Sequence, residues 1–216
     1  SWTFSGEAWD LPEILGALGA SLRMAITAGL VIGIFATAIA IWNVRFAGRF
    51  ATGVELTVWS SHALPALVVA LSLVFFGANL TPGLYQTVWL LIFAYLILFL
   101  PNALSVITTP IAQVSKAQEQ VARSLGLGKL GAIFKLVLPM SRAGIWAGIA
   151  LASLAVLKEL PATLILRPFN LDTLAVATYQ LAADERLAEL ALPALSIVLV
   201  GLLPVILLSR AIAQKR

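Results

Sequence analysis

Long apolar runs alternate with short polar ones along this chain, and five of the runs predict membrane-spanning helices. Their approximate bounds are residues 22–42, 63–77, 84–107, 143–160 and 190–209. A helix needs about 20 apolar residues to cross the hydrocarbon core of a bilayer. Backbone groups in lipid must be paired within their own segment, and the runs lack the alternation of strands. The predicted fold is therefore an all-α polytopic transmembrane helical bundle with five spans, or six.

Composition agrees with a membrane protein and excludes other classes. Of the 216 residues, 61% are hydrophobic and 11% are charged, far from the balance of a soluble domain. At about 20 residues per span, residues 1–216 have room for five or six crossings and form one predicted domain. The chain has no cysteine and a single histidine, His62, which we expect at the membrane interface. These counts predict no metal site, no cofactor and no catalytic residue.

Prolines and small residues add detail to the predicted helices. Four prolines stand near the ends of apolar runs: Pro65, Pro110, Pro139 and Pro161. Pro101 and Pro204 lie inside runs and predict kinks there. Small residues recur four positions apart in two runs: Gly29 and Gly33, then Gly144, Gly148 and Ala152. Such spacing predicts that the helix backbones approach one another closely.

Positive charge predicts the orientation, because Lys and Arg near span ends are retained on the cytoplasmic side. With five spans, one face has ten basic residues: Arg45, Arg49, Lys116, Arg123, Lys129, Lys135, Arg142, Arg210, Lys215 and Arg216. The other face has four: Arg23, Lys158, Arg167 and Arg186. The N-terminus is therefore predicted outside and the C-terminus in the cytoplasm. The net charge of +4 reflects this asymmetry and contact with anionic membrane lipid, and it does not indicate nucleic acid.

A polar segment, EQVARSLGLGKLGAIFKLVLP (residues 119–139), interrupts the apolar pattern between the third and fourth runs. The first predicted helix begins just before this segment, and four polar side chains share one of its faces: Lys116, Glu119, Gln120 and Arg123. Gly126 and Gly128 then predict the end of that helix, and a second short amphipathic helix follows and ends at Pro139. Helices this short need a packing partner, which can be the bundle, lipid headgroups or another protein.

The same segment resembles the EAA loop of ABC importer permeases. That pattern has Glu-Ala-Ala, three residues, Gly, nine residues, then Ile-x-Leu-Pro; here Ala122, Gly126, Leu138 and Pro139 match it. Gln120, Val121 and Leu136 replace its glutamate, first alanine and isoleucine. The resemblance implies a type I importer permease whose cytoplasmic coupling loop, residues 113–139, docks on an ABC ATPase. The implied docking residues are Gln120, Val121, Ala122, Arg123, Ser124, Leu125 and Gly126.

Residues 157–195 resemble the C-terminal half of iron(III) importer permeases, through the run KELPAT and the Arg-Pro that follows it. Those proteins are commonly fusions of two halves. The resemblance therefore implies one half of a two-half permease, with a second permease half, ATPase subunits and a periplasmic solute-binding protein as partners. Permeases for thiamine, sulfate and polyamines share the fold and remain alternatives.

Lys158 and Glu159, at the outer end of the fourth run, are the candidate residues of the translocation path. In the alternative interpretation Lys158 extends to the lipid headgroups and Glu159 faces the periplasm. Residues 171–190 are predicted to form an external loop with a helix near the interface, or a docking surface for the solute-binding protein.

The sequence predicts a permease subunit of a binding-protein-dependent ABC importer in the bacterial inner membrane, with iron(III) as cargo and ATP hydrolysis on a partner chain. The alternative from another class is a scaffold that anchors a cytoplasmic protein through the same loop and moves no solute. A secondary transporter is disfavoured, because few acidic residues that could carry protons or sodium lie within the spans.

Overall fold

The computed structural model describes residues 11–46 and 48–213, with side chains described as far as residue 202. Regular structure in these residues is helical throughout. The α-helices are α1 (Leu11–Arg45), α2 (Arg49–Ser61), α3 (Ala66–Asn79), α4 (Val88–Gln113), α5 (Lys116–Ser124), α6 (Lys129–Ala132), α7 (Leu138–Leu157), α8 (Pro161–Leu166), α9 (Leu174–Ala183) and α10 (Leu187–Ala213). One π-helical turn, Ile133–Val137, joins α6 to α7.

Three helical stretches of the described chain are long and apolar enough to cross a membrane: Leu11–Arg45, Val88–Gln113 and Lys129–Leu157. They cover the first, third and fourth predicted runs, and α10 covers the fifth. The pair formed by α2 and α3 qualifies as a fourth span if its two helices are counted together. The predicted all-α transmembrane bundle is confirmed, while the number of crossings is approximate.

The second predicted run, residues 63–77, corresponds to α3, and the structure has a further helix, α2, before it. The structure has two helices there, α2 and α3, which meet at a bend of 107°. Pro65 takes the N-cap position of α3 in an extended conformation. A proline has no N–H to donate and disfavours helix at the residue before it, so α2 cannot run on into α3.

Two prolines that stand near the ends of apolar runs lie within helix in the structure. Pro110 lies inside α4, which continues to Gln113. Pro139 is in the first turn of α7, and the helix runs through it from Lys129 to Leu157. Just before Pro139 the Leu138 N–H donates to the Ile133 carbonyl, a π-type bond that spans five residues. The wider turn absorbs the proline without a break, so the prediction that the helix ends there is wrong.

The core of the bundle is formed by α1, α4 and α7, and glycines allow these helices to come close. A Cβ built on Gly29 would overlap Ser153 of α7, and one on Gly33 would overlap Ile149. On another face of α7, a Cβ on Gly144 would overlap Pro110, and one on Gly148 would overlap Ile107. The close approach predicted from the spacing of small residues is therefore confirmed at both glycine pairs.

We predict that Gly148→Ala lowers the stability of the bundle. The added methyl group would overlap Ile107 and would stand 3.2 Å from the Ala103 carbonyl oxygen, which is backbone and cannot turn aside. Overpacking of this kind costs about 1–3 kcal/mol. Gly16→Ala is the matched control, because nothing lies within 4 Å of that position. Thermal unfolding of the purified protein in detergent checks this, and equal melting temperatures for both variants would contradict it.

Candidate functional site

The predicted coupling loop contains a short helix, α5, with a defined cap at each end. At its start the Ser115 Oγ accepts a hydrogen bond from the Gln118 N–H at 3.2 Å, and the Ser115 N–H donates to Gln118 Oε1 at 3.0 Å. This reciprocal pair is a capping box. The box pairs backbone N–H groups that a nine-residue helix would otherwise leave to solvent.

The end of α5 is a glycine turn, as the sequence predicts. Gly126 has a φ of 95°, in the left-handed region that glycine enters without a steric penalty. The Gly126 N–H donates to the Arg123 carbonyl at 3.0 Å, and the Leu127 N–H donates to the Ala122 carbonyl at 3.2 Å. This pair of bonds is a Schellman motif. Gly128 was expected to help end α5, but it is the N-cap of the next helix, α6.

The predicted docking residues lie together on the outside of the protein. None of the residues in α5 is buried. Val121 is 60% exposed and Leu125 is 81% exposed, so two apolar side chains project from a helix that is otherwise polar. Ala122 is half-buried, whereas the other docking residues are exposed: Gln120, Arg123, Ser124 and Gly126. This group is therefore an accessible surface on a helix whose two ends are capped.

A cleft of about 260 Å³ lies between α5 and the end of α1. Its lining includes four basic side chains and one carboxylate: Arg45, Lys116, Arg123, Lys129 and Glu119. Arg45 was predicted to lie on the cytoplasmic face but was not predicted to contact the coupling loop. No local signal could have revealed it, because 74 positions separate Arg45 from Glu119 and only the packing of α1 on α4 brings them together.

Arg45 makes its contacts across three parts of the chain. Its Nη2 donates to the carbonyls of Ile111 at 3.1 Å and of Val114 at 2.9 Å, at the C-terminal end of α4. Its Nε lies 3.2 Å from Glu119 Oε2 in α5. The alignment of that contact is outside the range of a hydrogen bond, so we describe it as an ion pair. The side chains are only 5% and 16% exposed, respectively.

At the opposite end of the bundle, the structure gives Glu159 a local role. Its Oε1 accepts a hydrogen bond from the Ala162 N–H at 3.0 Å, which caps the first turn of α8. Its backbone carbonyl accepts from the Thr163 Oγ1 at 2.8 Å. Thr163 Oγ1 also lies 2.6 Å from the Tyr95 hydroxyl, within a fully buried pair that joins α8 to α4. Glu159 thus belongs to the attachment of α8.

The side chain of Lys158 is absent from the hydrogen bonds of this network. This residue is the C-cap of α7 and is exposed, and the ion pairs found among the described residues do not include it. The structure therefore does not bring Lys158 and Glu159 together as a pair. Their role in the translocation path stays a prediction.

The region predicted as an external loop contains a second cleft, of about 390 Å³, between the start of α1 and the helices α9 and α10. Its charged lining residues are Glu13, Asp184, Arg186 and Glu189. Arg186 donates to both carboxylate oxygens of Glu189, and these hydrogen bonds raise the pKa of its guanidinium group. At the other end of α9, the Leu174 N–H donates to Ser21 Oγ of α1 at 2.7 Å. The predicted helix in this segment is confirmed as α9.

Comparison with known proteins gives one family. Residues 29–216 match the family model described as binding-protein-dependent transport system inner membrane component. The chain is 33% identical over 203 residues to the Fe(3+)-transport system permease protein of Haemophilus influenzae. That match covers 94% of this chain and 40% of the relative, so the chain spans about two fifths of its length.

Two further similarities agree with this result. A putative 2-aminoethylphosphonate transport system permease protein from Salmonella typhimurium is 28% identical over 203 residues, covering 91% of this chain and 71% of the relative. A crystal structure of an amino acid ABC transporter matches with a TM-score of 0.61 at 19% identity, over 92% of both chains. The family match covers most of the chain, and the apolar helices agree with its description. The chain therefore belongs to the binding-protein-dependent transport system inner membrane components and is a multi-pass inner membrane protein.

Proposed function

We propose that this chain is the membrane-spanning permease subunit of a binding-protein-dependent ABC importer for iron(III). Family membership supports the importer class, because its members are transport components rather than enzymes. The observation that carries the proposal is α5, a helix capped at both ends with no buried residue. A helix that contributes nothing to the core and is nevertheless well defined is suited to meet a partner.

The proposed partner of α5 is a cytoplasmic ABC ATPase that hydrolyses ATP on its own chain. Val121 and Leu125 present apolar surface that a groove on the partner can remove from water. Arg123 supplies positive charge beside them and can pair with acidic groups at the rim of that groove. The glycine turn at Gly126 then leads the chain back to α6 and the bundle.

The length of the iron(III) relative supports the proposal of a second permease half. This chain matches two fifths of that protein, which leaves enough length there for another bundle of similar size. A permease path between two bundles also explains why the core of this one is filled. Among the described residues, the buried cluster contains Ile32, Leu91, Ile107 and many alanines.

Iron(III) as cargo is supported by the identity of 33% to an iron(III) permease. Among the described residues, no three histidine or acidic side chains converge as ligands for a metal ion would. Ferric ions prefer several oxygen ligands. Tight recognition is therefore assigned to an external solute-binding protein, with the permease as a weakly interacting passage. 2-Aminoethylphosphonate is the second candidate cargo, on the similarity to the Salmonella protein.

The proposed orientation puts residues 113–142 in the cytoplasm and residues 161–189 outside. Labelling of cysteines introduced into the natively cysteine-free chain tests it. Lys129→Cys and Asp184→Cys are suitable positions, because both side chains are exposed. In intact spheroplasts, a membrane-impermeant thiol reagent should label the Asp184 variant and leave the Lys129 variant unlabelled until the membrane is opened. The reverse pattern would refute the orientation.

We predict that Leu125→Asp and Gly126→Val release the ATPase from the complex. The first puts a charge where the apolar contact forms, at a cost of several kcal/mol if it is buried without a partner. The second forces a β-branched residue into a left-handed conformation, which spoils the turn. Co-purification of the ATPase is the measurement. Leu187→Asp, at a leucine that is 69% exposed at the other end of the bundle, should keep it.

The cargo is tested by uptake into vesicles that contain the complete complex and its solute-binding protein. We expect uptake of radiolabelled iron(III) that depends on both ATP and the binding protein. Uptake of 2-aminoethylphosphonate, thiamine, sulfate or a polyamine in place of iron would remove the iron assignment and leave the importer intact. Absence of uptake for every solute, with a stable ATPase complex, would favour the scaffold.

The same assay separates two roles for Glu159. Glu159→Gln removes the charge and keeps an oxygen that can accept from the Ala162 N–H, whereas Glu159→Ala removes both. A path residue needs the charge, so the Gln variant would lose uptake as fully as the Ala variant. We expect that loss if Glu159 contacts the cargo. Normal uptake by the Gln variant would restrict Glu159 to capping α8.

A further inference from the structure

Arg45 is the last residue of α1, and its guanidinium is almost fully enclosed. Only 5% of the side chain is exposed, where it lines the cleft beside α5. A buried arginine is costly unless its donors are matched. Here Nη2 donates to two backbone carbonyls, and a carboxylate in α5 balances the charge through an ion pair with Nε. The position is therefore a junction between α1, the end of α4 and α5.

The contact with α4 satisfies groups that a helix end leaves unpaired. The last four carbonyls of a helix have no partner within it and carry a partial negative charge. Arg45 donates to Ile111, one of these carbonyls, and to Val114 in the link to α5. Ser141 of α7 donates to another carbonyl in the last turn of α4, that of Pro110, at 3.2 Å. Arg45 thus holds the C-terminal end of α4 against α1 while α7 holds it from another side.

Among the described residues, the ion pair with Arg45 is the only one that α5 makes. No residue of α5 is buried, so apolar packing contributes little to its position. Of the three ion pairs in the described part of the chain, only Arg45–Glu119 joins α5 to another helix. Glu119 is also in the first turn of α5, where a carboxylate is favoured by the helix dipole. The ion pair therefore links α5 to α1, in addition to the packing of α5 on α6 and on the π-helical turn.

We propose that Arg45 is a positioning residue for coupling, whose guanidinium makes α5 move as one body with α1 and the end of α4. The inference rests on the proposed docking of α5 to the ATPase and goes beyond it. Docking requires only the outward face of α5, with Val121 and Leu125. Transmission to the membrane helices requires in addition a stiff link behind that face, and Arg45 with Glu119 is that link.

The chemistry of the junction explains why an arginine is suited to it. A guanidinium is planar and has five N–H donors in a fixed fork, so one side chain can address acceptors in two directions. A lysine ammonium is a compact point charge on a flexible stem. It can keep the positive charge near Glu119 or bond the α4 carbonyls, but it cannot fix both in one geometry.

Glu119→Gln in the complete transporter, reconstituted in nanodiscs with its ATPase and solute-binding protein, tests the inference. The measured quantity is the ratio of ATP hydrolysis with the binding protein to hydrolysis without it. We expect this ratio to fall by roughly fivefold or more, at or above the lower end of the range for coupling between sites. Co-purification of the ATPase should be unchanged. Glu55→Gln, the same substitution on the exposed face of α2, should leave the ratio intact.

A second variant and the double variant show whether the two residues act as one link. We expect Arg45→Lys to lower the same ratio, and Arg45→Lys with Glu119→Gln together to be no worse than the more severe single change. Residues in direct contact show such non-additivity, whereas the fold-changes of independent residues multiply. A general structural defect would instead reduce the yield of complex and lower both rates in proportion.

An unchanged ratio in Glu119→Gln would overturn the inference. So would loss of the ATPase from the Glu119→Gln complex, because Glu119 would then be a docking contact and no part of a rear link. Failure of the proposed docking itself gives a different result, in which Leu125→Asp keeps its ATPase. Loss of the ATPase in Leu125→Asp together with a normal ratio in Glu119→Gln would remove only the role assigned to Arg45.

Discussion

The close contact of α7 with α1 and α4 forms the centre of the bundle and fixes the positions of these three helices. Gly29 and Gly33 allow α1 to approach one face of α7, and Gly144 and Gly148 allow α4 to approach another. In lipid there is little hydrophobic gain from helix association, so van der Waals contact at short distance carries much of the stability. Because α1 and α4 are both fixed against α7, their ends at Arg45 and Gln113 are brought side by side. The candidate docking site is assembled at that meeting point.

Backbone carbonyls of α4 that lack helical partners are the sites at which other elements attach. Pro101 has no N–H, which frees the Ile97 carbonyl, and Ser61 at the end of α2 donates to it at 3.0 Å. At the end of the same helix, Ser141 and Arg45 donate to the carbonyls of Pro110 and Ile111. Each unpaired carbonyl in a membrane protein is costly, so each bond both removes a penalty and fixes a neighbour. Pro101 thus helps to specify the fold as well as to perturb a helix.

The sequence was sufficient to predict the fold class and the C-terminal end of α5. Apolar runs are long enough to mark membrane helices, and glycine at position 126 meets a requirement for a left-handed residue that depends only on local sterics. One error concerns a proline, since Pro139 was expected to end a short helix that in fact continues into α7. Whether a helix tolerates proline depends on a wider turn, such as the Leu138 to Ile133 bond, or on donors from other elements. Those donors are distant in sequence, so a single chain read by itself cannot reveal them.

The pairing of Arg45 with Glu119 was missed for the same reason, because the two residues are distant in sequence. The burial of both side chains increases the free-energy cost of breaking the pair. Exposed ion pairs contribute about 0–1 kcal/mol, because water solvates the separated charges nearly as well. With 5% and 16% exposure this pair is largely out of water, and removal of one partner leaves a charge that costs about 3–5 kcal/mol.

The α4 helix connects this enclosed pair to the opposite end of the bundle. Its Tyr95 hydroxyl meets Thr163 of α8, whose first turn is capped by Glu159, and its C-terminal carbonyls meet Arg45. Sixteen residues separate Tyr95 from Ile111, about 24 Å along a helix. A displacement of α8 at one end and a displacement of α5 at the other therefore act on the same helix. Since α4 is tied by hydrogen bonds at both places, neither end can move far without changing the contacts of the other.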